Sequence, residues 1–299
     1  MSEERNRLTR SAALASTGVA ITLLLLKIWA AWVTGSVSML ASLADTGLDL
    51  LASLLTLFAV THAALPADED HRFGHGKAEA IAALMQTLLI MGSAVAILWR
   101  AIASFGNTDL PRAPEVGIGV SLAGIALTLL LVAWQRRVVA RTGSIAVSTD
   151  ALHYQSDLLL NLAVIAALVL DIYLGIHGAD AVLGVLIALW IAWSALQSAR
   201  SAIDMLMDKE WPEARRNELI AMASLVPGVE GVHDVRTRSS GAVDFIQFHI
   251  WLPPLMTVSD AHDIVDAVED RLMQAYPNAE FLIHIDPRGH EDPLAVHLP

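Results

Sequence analysis

The sequence predicts a membrane domain of six transmembrane α-helices followed by a polar α+β domain. The chain has 299 residues, is 55% hydrophobic and has a mean hydropathy of +0.54, values typical of a membrane protein. Its long apolar stretches are concentrated in residues 1–207, whereas residues 208–299 are polar and acidic. We therefore divide the chain into a transmembrane domain, residues 1–207, and a tail domain, residues 208–299.

Six apolar segments have the length of about 20 residues that is needed to cross the hydrocarbon of a bilayer. They cover residues 11–33, 38–64, 79–104, 114–135, 145–174 and 179–203. Turn-forming residues separate several of them, in the segments TGSVS, LPADEDHRFGHGK, FGNTDLPRAP and GIHGAD. The first segment is longer than the apolar region of a secretory leader, so we interpret it as a retained span.

Basic residues indicate how the spans are oriented. One side of the predicted bundle carries Arg5, Arg7, Arg10, Arg72, Lys77, Arg136, Arg137 and Arg141. The opposite side carries only Arg100 and Arg112. Because basic residues are enriched in cytoplasmic loops, both termini are expected in the cytoplasm, and the tail domain with them.

The tail alternates between two periodicities. Residues 217–226 fit a helix, and VHDVRTRSSG and VDFIQFHIWL fit two strands joined by a turn. An amphipathic helix capped by Ser259 and a third strand, EFLIHID, follow. The order αββαβ predicts a small domain of the ferredoxin-like type.

Charge and cysteine content narrow the choice of ligand. Residues 212–299 contain 14 acidic residues and 6 arginines, a balance of 6 − 14 = −8. Such a domain lacks the basic patch that nucleic acid requires, so no nucleic-acid partner is expected, and a cation suits it better. Since the chain has no cysteine, a metal site would use imidazole nitrogen and carboxylate oxygen.

Two spans carry ligand-type residues four positions apart. Asp45 and Asp49 lie in the second span, and His153 and Asp157 lie in the fifth. Residues with this spacing share one helix face, so the two spans together offer one imidazole and three carboxylates. That set suits a tetrahedral divalent transition metal, whose charge would offset the cost of acids in hydrocarbon.

A single intramembrane Asp could instead be a proton relay or a hydrogen-bonded structural group, and a single His could be an ordinary core residue. Two matched pairs in separate spans favour a metal path over these readings. Asp150 near the start of the fifth span suits the helix dipole, and we place it outside the site.

Two further groups resemble metal ligands. The loop PADEDHRFGHGK offers Asp68, His71 and His75, although the same residues could form an ordinary solvated loop. The tail offers a set on its predicted strands and second helix: His233, His249, His262, His284 and Asp286. Scattered surface histidines are the alternative there, and we interpret His290 and His297 in that way.

These motifs together resemble the cation diffusion facilitator family. The resemblance rests on DxxxD in the second span, HGKAE at the start of the third, HxxxD in the fifth, and a His-rich αββαβ tail. It covers nearly the whole chain and is closest to the bacterial ferrous-iron and zinc efflux branch.

The resemblance implies a homodimer in the cell inner membrane that exchanges a cytoplasmic divalent cation for protons. It implies that Asp45, Asp49, His153 and Asp157 form the transport site, that the loop residues form a second site, and that the tail residues form a binuclear regulatory site. Zinc or iron(II) is the expected cargo and regulatory ligand, with cadmium as a further substrate, and no catalytic cofactor is expected.

Two alternatives belong to other classes. A proton-coupled transporter of an organic solute would use the Asp residues as relays and leave His153 incidental. An intramembrane metalloenzyme would need an open metal position and a general base, and the sequence contains no HExxH motif. We therefore expect a transporter and not an enzyme.

Overall fold

The computed structural model describes residues 2–34, 37–103, 115–174 and 179–290. Outside these described residues lie parts of the predicted junctions TGSVS and GIHGAD, the whole of FGNTDLPRAP, and His297.

Six long helices make up the first two thirds of the chain. They are α1 (Ser2–Thr34), α2 (Val37–Ala63), α3 (Ala78–Ala103), α4 (Glu115–Thr142), α5 (Ile145–Leu174) and α6 (Ala179–Leu206). Five of them, all except α5, are long and apolar enough to cross a membrane, judged on the described residues. The remaining helix has 30 residues, which at about 1.5 Å per residue also reaches across hydrocarbon.

Two helices extend further than their hydrophobicity predicts. The helix α1 begins at Ser2 and not at residue 11, and α4 continues to Thr142 and not to residue 135. Hydropathy marks only the part of a helix that lies in hydrocarbon, whereas the backbone can continue as helix into water. The extension of α1 carries Arg5, which pairs with Glu79 of α3 at 3.0 Å.

Small side chains fill the interior of the transmembrane helices. Fully buried positions include Ala20, Ala52 and Ala83, whereas Trp32 and Trp99 are 85% and 75% exposed. This distribution is expected in a bilayer, where helices approach through small residues and large apolar side chains face lipid. The buried interior therefore leaves room for polar groups between the helices.

The tail has the predicted order αββαβ, which confirms the α+β class. It contains α7 (Glu213–Ser224), β1 (Gly231–Ser240), β2 (Val243–Leu252), α8 (Val258–Ala275) and β3 (Ala279–Pro287). The strands β1 and β2 are antiparallel, and β2 and β3 are parallel. The helix α8 is capped by Thr257, which accepts from the Asp260 amide, so the prediction of Ser259 as the cap was wrong.

One face of this sheet packs on α7 and α8. Its core contains Leu219 of α7, Ile246, Phe248 and Ile250 of β2, and Leu272 of α8. Alternate residues of β2 point to the opposite face, because side chains alternate along a strand. That opposite face carries the histidines.

Two compact units emerge from the packing of the chain. One contains residues 4–66 and 77–203, and the other contains residues 1–3, 67–76 and 204–299. The loop between α2 and α3 thus packs with the tail, where Phe73 contacts Phe245 edge-on and the Arg238 guanidinium lies 4.3 Å from the Phe73 ring. Gly76 is needed here because a Cβ atom at that position would lie 2.1 Å from the Ser240 carbonyl oxygen.

We expect Phe248→Ala to lower the free energy of unfolding of the tail by about 3–5 kcal/mol, since it removes a fully buried ring from the core. Amide hydrogen exchange along β2 in the full-length protein measures this change. Met273→Ala is the matched control, because Met273 on α8 is 52% exposed and its truncation should change stability by less than about 0.5 kcal/mol. Equal exchange in the two variants would contradict the assigned core.

Candidate metal centres

The helices α2 and α5 bring three of the four predicted intramembrane ligands together. The Nε2 atom of His153 lies 2.9 Å from Oδ1 of Asp49 and 3.9 Å from Oδ2 of Asp157. One ligand atom of each residue lies within 4.8 Å of those of the other two. We call Asp49, His153 and Asp157 the transmembrane cluster.

Asp45 does not join this cluster. It lies one turn before Asp49 on α2, but its side chain is exposed and falls outside the three-residue group. A four-residue site therefore requires a movement of Asp45 or of α2 relative to the arrangement described here. The i,i+4 spacing alone could not reveal this, because it fixes the shared face of a helix and not the distance to a neighbouring helix.

Strand register aligns the tail histidines. His233 of β1 pairs with His249 of β2, and His249 pairs with His284 of β3. Their rings lie side by side, with centroids 5.3 Å and 4.6 Å apart. Asp286 has the same orientation as His284, and its Oδ2 atom lies 2.8 Å from Nδ1 of His249. We call these four residues the tail cluster.

The chemistry of the tail cluster fits a metal ion. Among the described residues, Nδ1 of His233 is buried without a hydrogen-bond partner, and Nε2 lies 3.2 Å from Asp286 Oδ2. A buried imidazole nitrogen without a donor or acceptor is costly, and a metal ion would satisfy its lone pair. One ligand atom of each of His233, His249 and Asp286 lies within 4.8 Å of those of the other two, close enough to share a metal ion.

The protonation states in the tail also suit metal binding. Burial lowers the pKa of His233, which favours the neutral imidazole. Burial alone would raise the pKa of Asp286, but the hydrogen bond from His249 and the charges of the surrounding imidazoles outweigh it, so this pKa is lowered. A neutral imidazole and an ionised carboxylate are the forms that bind metal.

His262 lies apart from the tail cluster of its own chain. Its side chain is 72% exposed and pairs with Asp266 one turn later on α8, at 3.2 Å. The assignment of His262 as a ligand thus stays a prediction, and among the described residues of one chain nothing brings it to the other tail residues.

The loop residues form a third, more exposed cluster. Asp68 lies 3.2 Å from Nδ1 of His71 and 3.3 Å from Nε2 of His75, and one ligand atom of each of the three residues lies within 4.8 Å of the others. Backbone donation from His71 lowers the pKa of Asp68. We call Asp68, His71 and His75 the loop cluster. Since the Asp68 side chain is 52% exposed, a metal ion here would remain in contact with water.

Two acidic residues near these sites were not assigned to them from the sequence. Asp234 follows His233 at a register shift in β1, and its Oδ2 atom lies 3.7 Å from Nε2 of His249. Asp150 is fully buried, and its carboxylate accepts from Ser16 and Gln135 at 2.6 and 2.7 Å, so placing it as a dipole partner at the helix start was incomplete. The available signal for Asp150 was an acidic residue in an apolar span, three residues before His153.

Comparisons with known proteins match both parts of the chain. The family model of the cation efflux transmembrane domain matches residues 13–207. The family model of the cation efflux protein cytoplasmic domain, ZT_dimer, matches residues 211–288. The cation-efflux pump FieF of Cronobacter sakazakii is 44% identical over 96% of this chain and 95% of its own. The pump of the same name from Yersinia enterocolitica is also 44% identical, over the same shares.

Among solved structures, the zinc form of CzrB is 28% identical and covers 28% of this chain and 98% of its own, with a TM-score of 0.27.

We expect the zinc affinity of the tail cluster to rise as pH increases from 5.5 to 7.5. Its imidazoles must lose protons to bind metal, which corresponds to about tenfold per pH unit for each proton displaced. Equilibrium dialysis of the full chain carrying Asp49→Ala and Asp68→Ala measures this site alone.

The matched variants in that background are His249→Ala, which should abolish binding, and His290→Ala, which should retain it. Loss of binding in both variants, or an affinity that does not change with pH, would refute the proposed ligands.

Proposed function

The chain belongs to the cation diffusion facilitator family and is a divalent-metal efflux transporter, and on this premise we propose that it exports zinc or iron(II) from the cytoplasm in exchange for protons. Cadmium is a further expected substrate. Family membership also means that the protein is a transporter and not an enzyme. It is a multi-pass membrane protein with a cytoplasmic C-terminal domain.

One observation carries the proposal. An imidazole and two carboxylates from two different membrane helices converge within 4.8 Å, with His153 only 8% exposed. Each charged Asp in hydrocarbon costs at least about 2.5 kcal/mol, and a bound divalent cation would offset that cost. A proton relay needs only one acidic residue, so it does not explain why two acids and an imidazole converge. The mixed nitrogen and oxygen donor set favours a transition metal over magnesium or calcium.

Metal ions and protons compete for the same ligand atoms, and this competition couples metal export to proton import. The cation requires ionised Asp49 and Asp157 and neutral His153, whereas protons occupy the same oxygen and nitrogen atoms in the absence of metal. Facing the cytoplasm, these residues take up the cation. Facing outward, they exchange it for protons, which then return with the empty carrier.

A role for Asp45 follows from its position one turn from Asp49. We assign it as the fourth ligand, which completes a tetrahedral site in one conformation and leaves it in another. Such a change in ligand number would give the two conformations different metal affinities, and transport needs that difference.

The tail cluster would hold cytoplasmic metal in a regulatory site. His233, His249, His284 and Asp286 supply the ligands, and a bound ion would supply charge to an otherwise acidic domain. The match to the ZT_dimer domain implies dimerisation, and we propose a homodimer whose two tails approach more closely when the cluster is occupied. His262 would then be available to a ligand set beyond its own chain.

The distribution of basic residues also indicates how the protein is oriented in the membrane. The Lys and Arg distribution supports a cytoplasmic position for both termini, with the loop cluster on the same side. We propose the inner membrane of a bacterial cell as its location, which the bacterial sources of the related pumps support.

We expect Asp49→Ala to abolish zinc transport, because the shortest contact of the transmembrane cluster is lost. The measurement is uptake into proteoliposomes with and without a pH gradient, using zinc, iron(II), cadmium and manganese in turn. His62→Ala is the matched control on the same helix, since His62 stacks on Phe58 and belongs to none of the three clusters. Zinc uptake by Asp49→Ala at the parental rate would refute the site, and uptake without any effect of the gradient would refute proton coupling.

For the tail, we expect His249→Ala to keep transport at saturating zinc but to lose its activation by low zinc concentrations. The dependence of the initial rate on zinc concentration measures this. An unchanged dependence would leave the tail cluster with a purely structural role and contradict regulation.

A further inference from the structure

A buried polar network lies next to the transmembrane cluster, and none of its members is a predicted metal ligand. Its members come from five helices and are each at most 1% exposed: Ser16 of α1, Ser53 of α2, Gln86 of α3, Gln135 of α4, and Asp150 and Tyr154 of α5. We call this set the Asp150 network.

Asp150 is the acceptor at its centre. Oδ2 of Asp150 accepts from the Ser16 hydroxyl at 2.6 Å and from the Gln135 amide at 2.7 Å. Oδ1 accepts from the Gln86 amide at 3.4 Å. A single carboxylate on α5 thus collects donors from α1, α3 and α4.

A chain of hydroxyl groups connects the same acceptor to α2. Ser16 lies 2.8 Å from the Ser53 hydroxyl, and Ser53 lies 2.8 Å from the Tyr154 hydroxyl. With Asp150 as an acceptor at one end, the hydroxyl of Ser16 donates toward it, and those of Ser53 and Tyr154 can donate in the same direction. The Ser53–Tyr154 contact is therefore a direct polar link between α2 and α5.

The link lies immediately beside the transmembrane cluster. Ser53 is one turn from Asp49 on α2, and Tyr154 follows His153 on α5. The separation of these two helices determines the 2.9 Å approach of Asp49 to His153. Since helices within a bilayer lack a strong hydrophobic force between them, hydrogen bonds and close packing decide how far apart they lie.

We propose that the Asp150 network is a positioning element that fixes the spacing of α2 and α5, and thereby the size of metal ion that the transmembrane cluster accepts. Asp150, Ser53 and Tyr154 act through Asp49 and His153 and touch no metal themselves. Zinc requires short bonds of about 2.0–2.2 Å to nitrogen and oxygen, so a wider spacing would penalise zinc more than the larger cadmium ion. The proposal rests on metal binding at the transmembrane cluster.

The test measures zinc and cadmium affinities by equilibrium dialysis in a full-length background that carries Asp68→Ala and His249→Ala, so that metal is bound at the transmembrane cluster. Tyr154→Phe removes one hydroxyl group, Ser53→Ala removes its partner, and Asp150→Asn replaces one oxygen of the central acceptor by an amide nitrogen at nearly constant volume. We expect each to reduce the zinc-to-cadmium affinity ratio by about two- to tenfold, the range that corresponds to one hydrogen bond.

Thr149→Val is the matched control. Thr149 is also buried on α5, but its hydroxyl pairs with Ser198 of α6 at 2.6 Å, and α6 contributes nothing to the transmembrane cluster. Its ratio should equal that of the background protein. A merely structural role of the network would lower both affinities equally, whereas positioning changes their ratio.

An unchanged ratio in Tyr154→Phe and Ser53→Ala overturns the proposal, and these two variants decide it if Asp150→Asn does not fold. An equal change in Thr149→Val also overturns it, because the effect would then belong to any polar contact of α5. If the background protein binds neither metal, the proposed transport site fails as well, so the two failures are distinguishable.

Discussion

The cost of placing ionisable groups inside a bilayer is the constraint on which the transmembrane domain depends. Asp49, Asp157 and Asp150 all lie in helices of the membrane domain, and each must have a compensating partner. For the first two, the partner is His153, and the proposed cation would add to it. For Asp150, it is a set of hydroxyl and amide donors from three other helices. The small buried residues of the bundle leave space between the helices for both the transmembrane cluster and the Asp150 network.

The same pair of ligand types, imidazole and carboxylate, recurs in three settings that differ in exposure. The transmembrane cluster is held by rigid helices, and the tail cluster by strands whose register aligns its histidines. The loop cluster lies in an exposed turn, with Asp68 half-exposed. Because desolvation strengthens charge interactions, these three environments should hold metal with different strengths and exchange it at different rates.

The loop between α2 and α3 packs with the tail, so the compact unit that contains the tail also contains residues distant from it in sequence. Phe73, Arg238 and Phe245 form a contact between residues more than 160 positions apart, and Gly76 permits the chain to pass Ser240 closely. The loop cluster and the tail cluster therefore belong to one compact unit. Any metal bound in the loop would act on the same unit as metal bound in the tail.

The sequence by itself determined the properties that depend on near neighbours. These include the apolar helices, the αββαβ order, and the i,i+4 pairs that place Asp45 with Asp49 and His153 with Asp157, because helical periodicity and strand alternation are local. Tertiary structure decided which distant residues meet. It brought Asp49 to His153, left Asp45 exposed, and made Asp150 the centre of a network. Those outcomes depend on the rotation and spacing of whole helices, and these are set by packing among residues far apart in the chain.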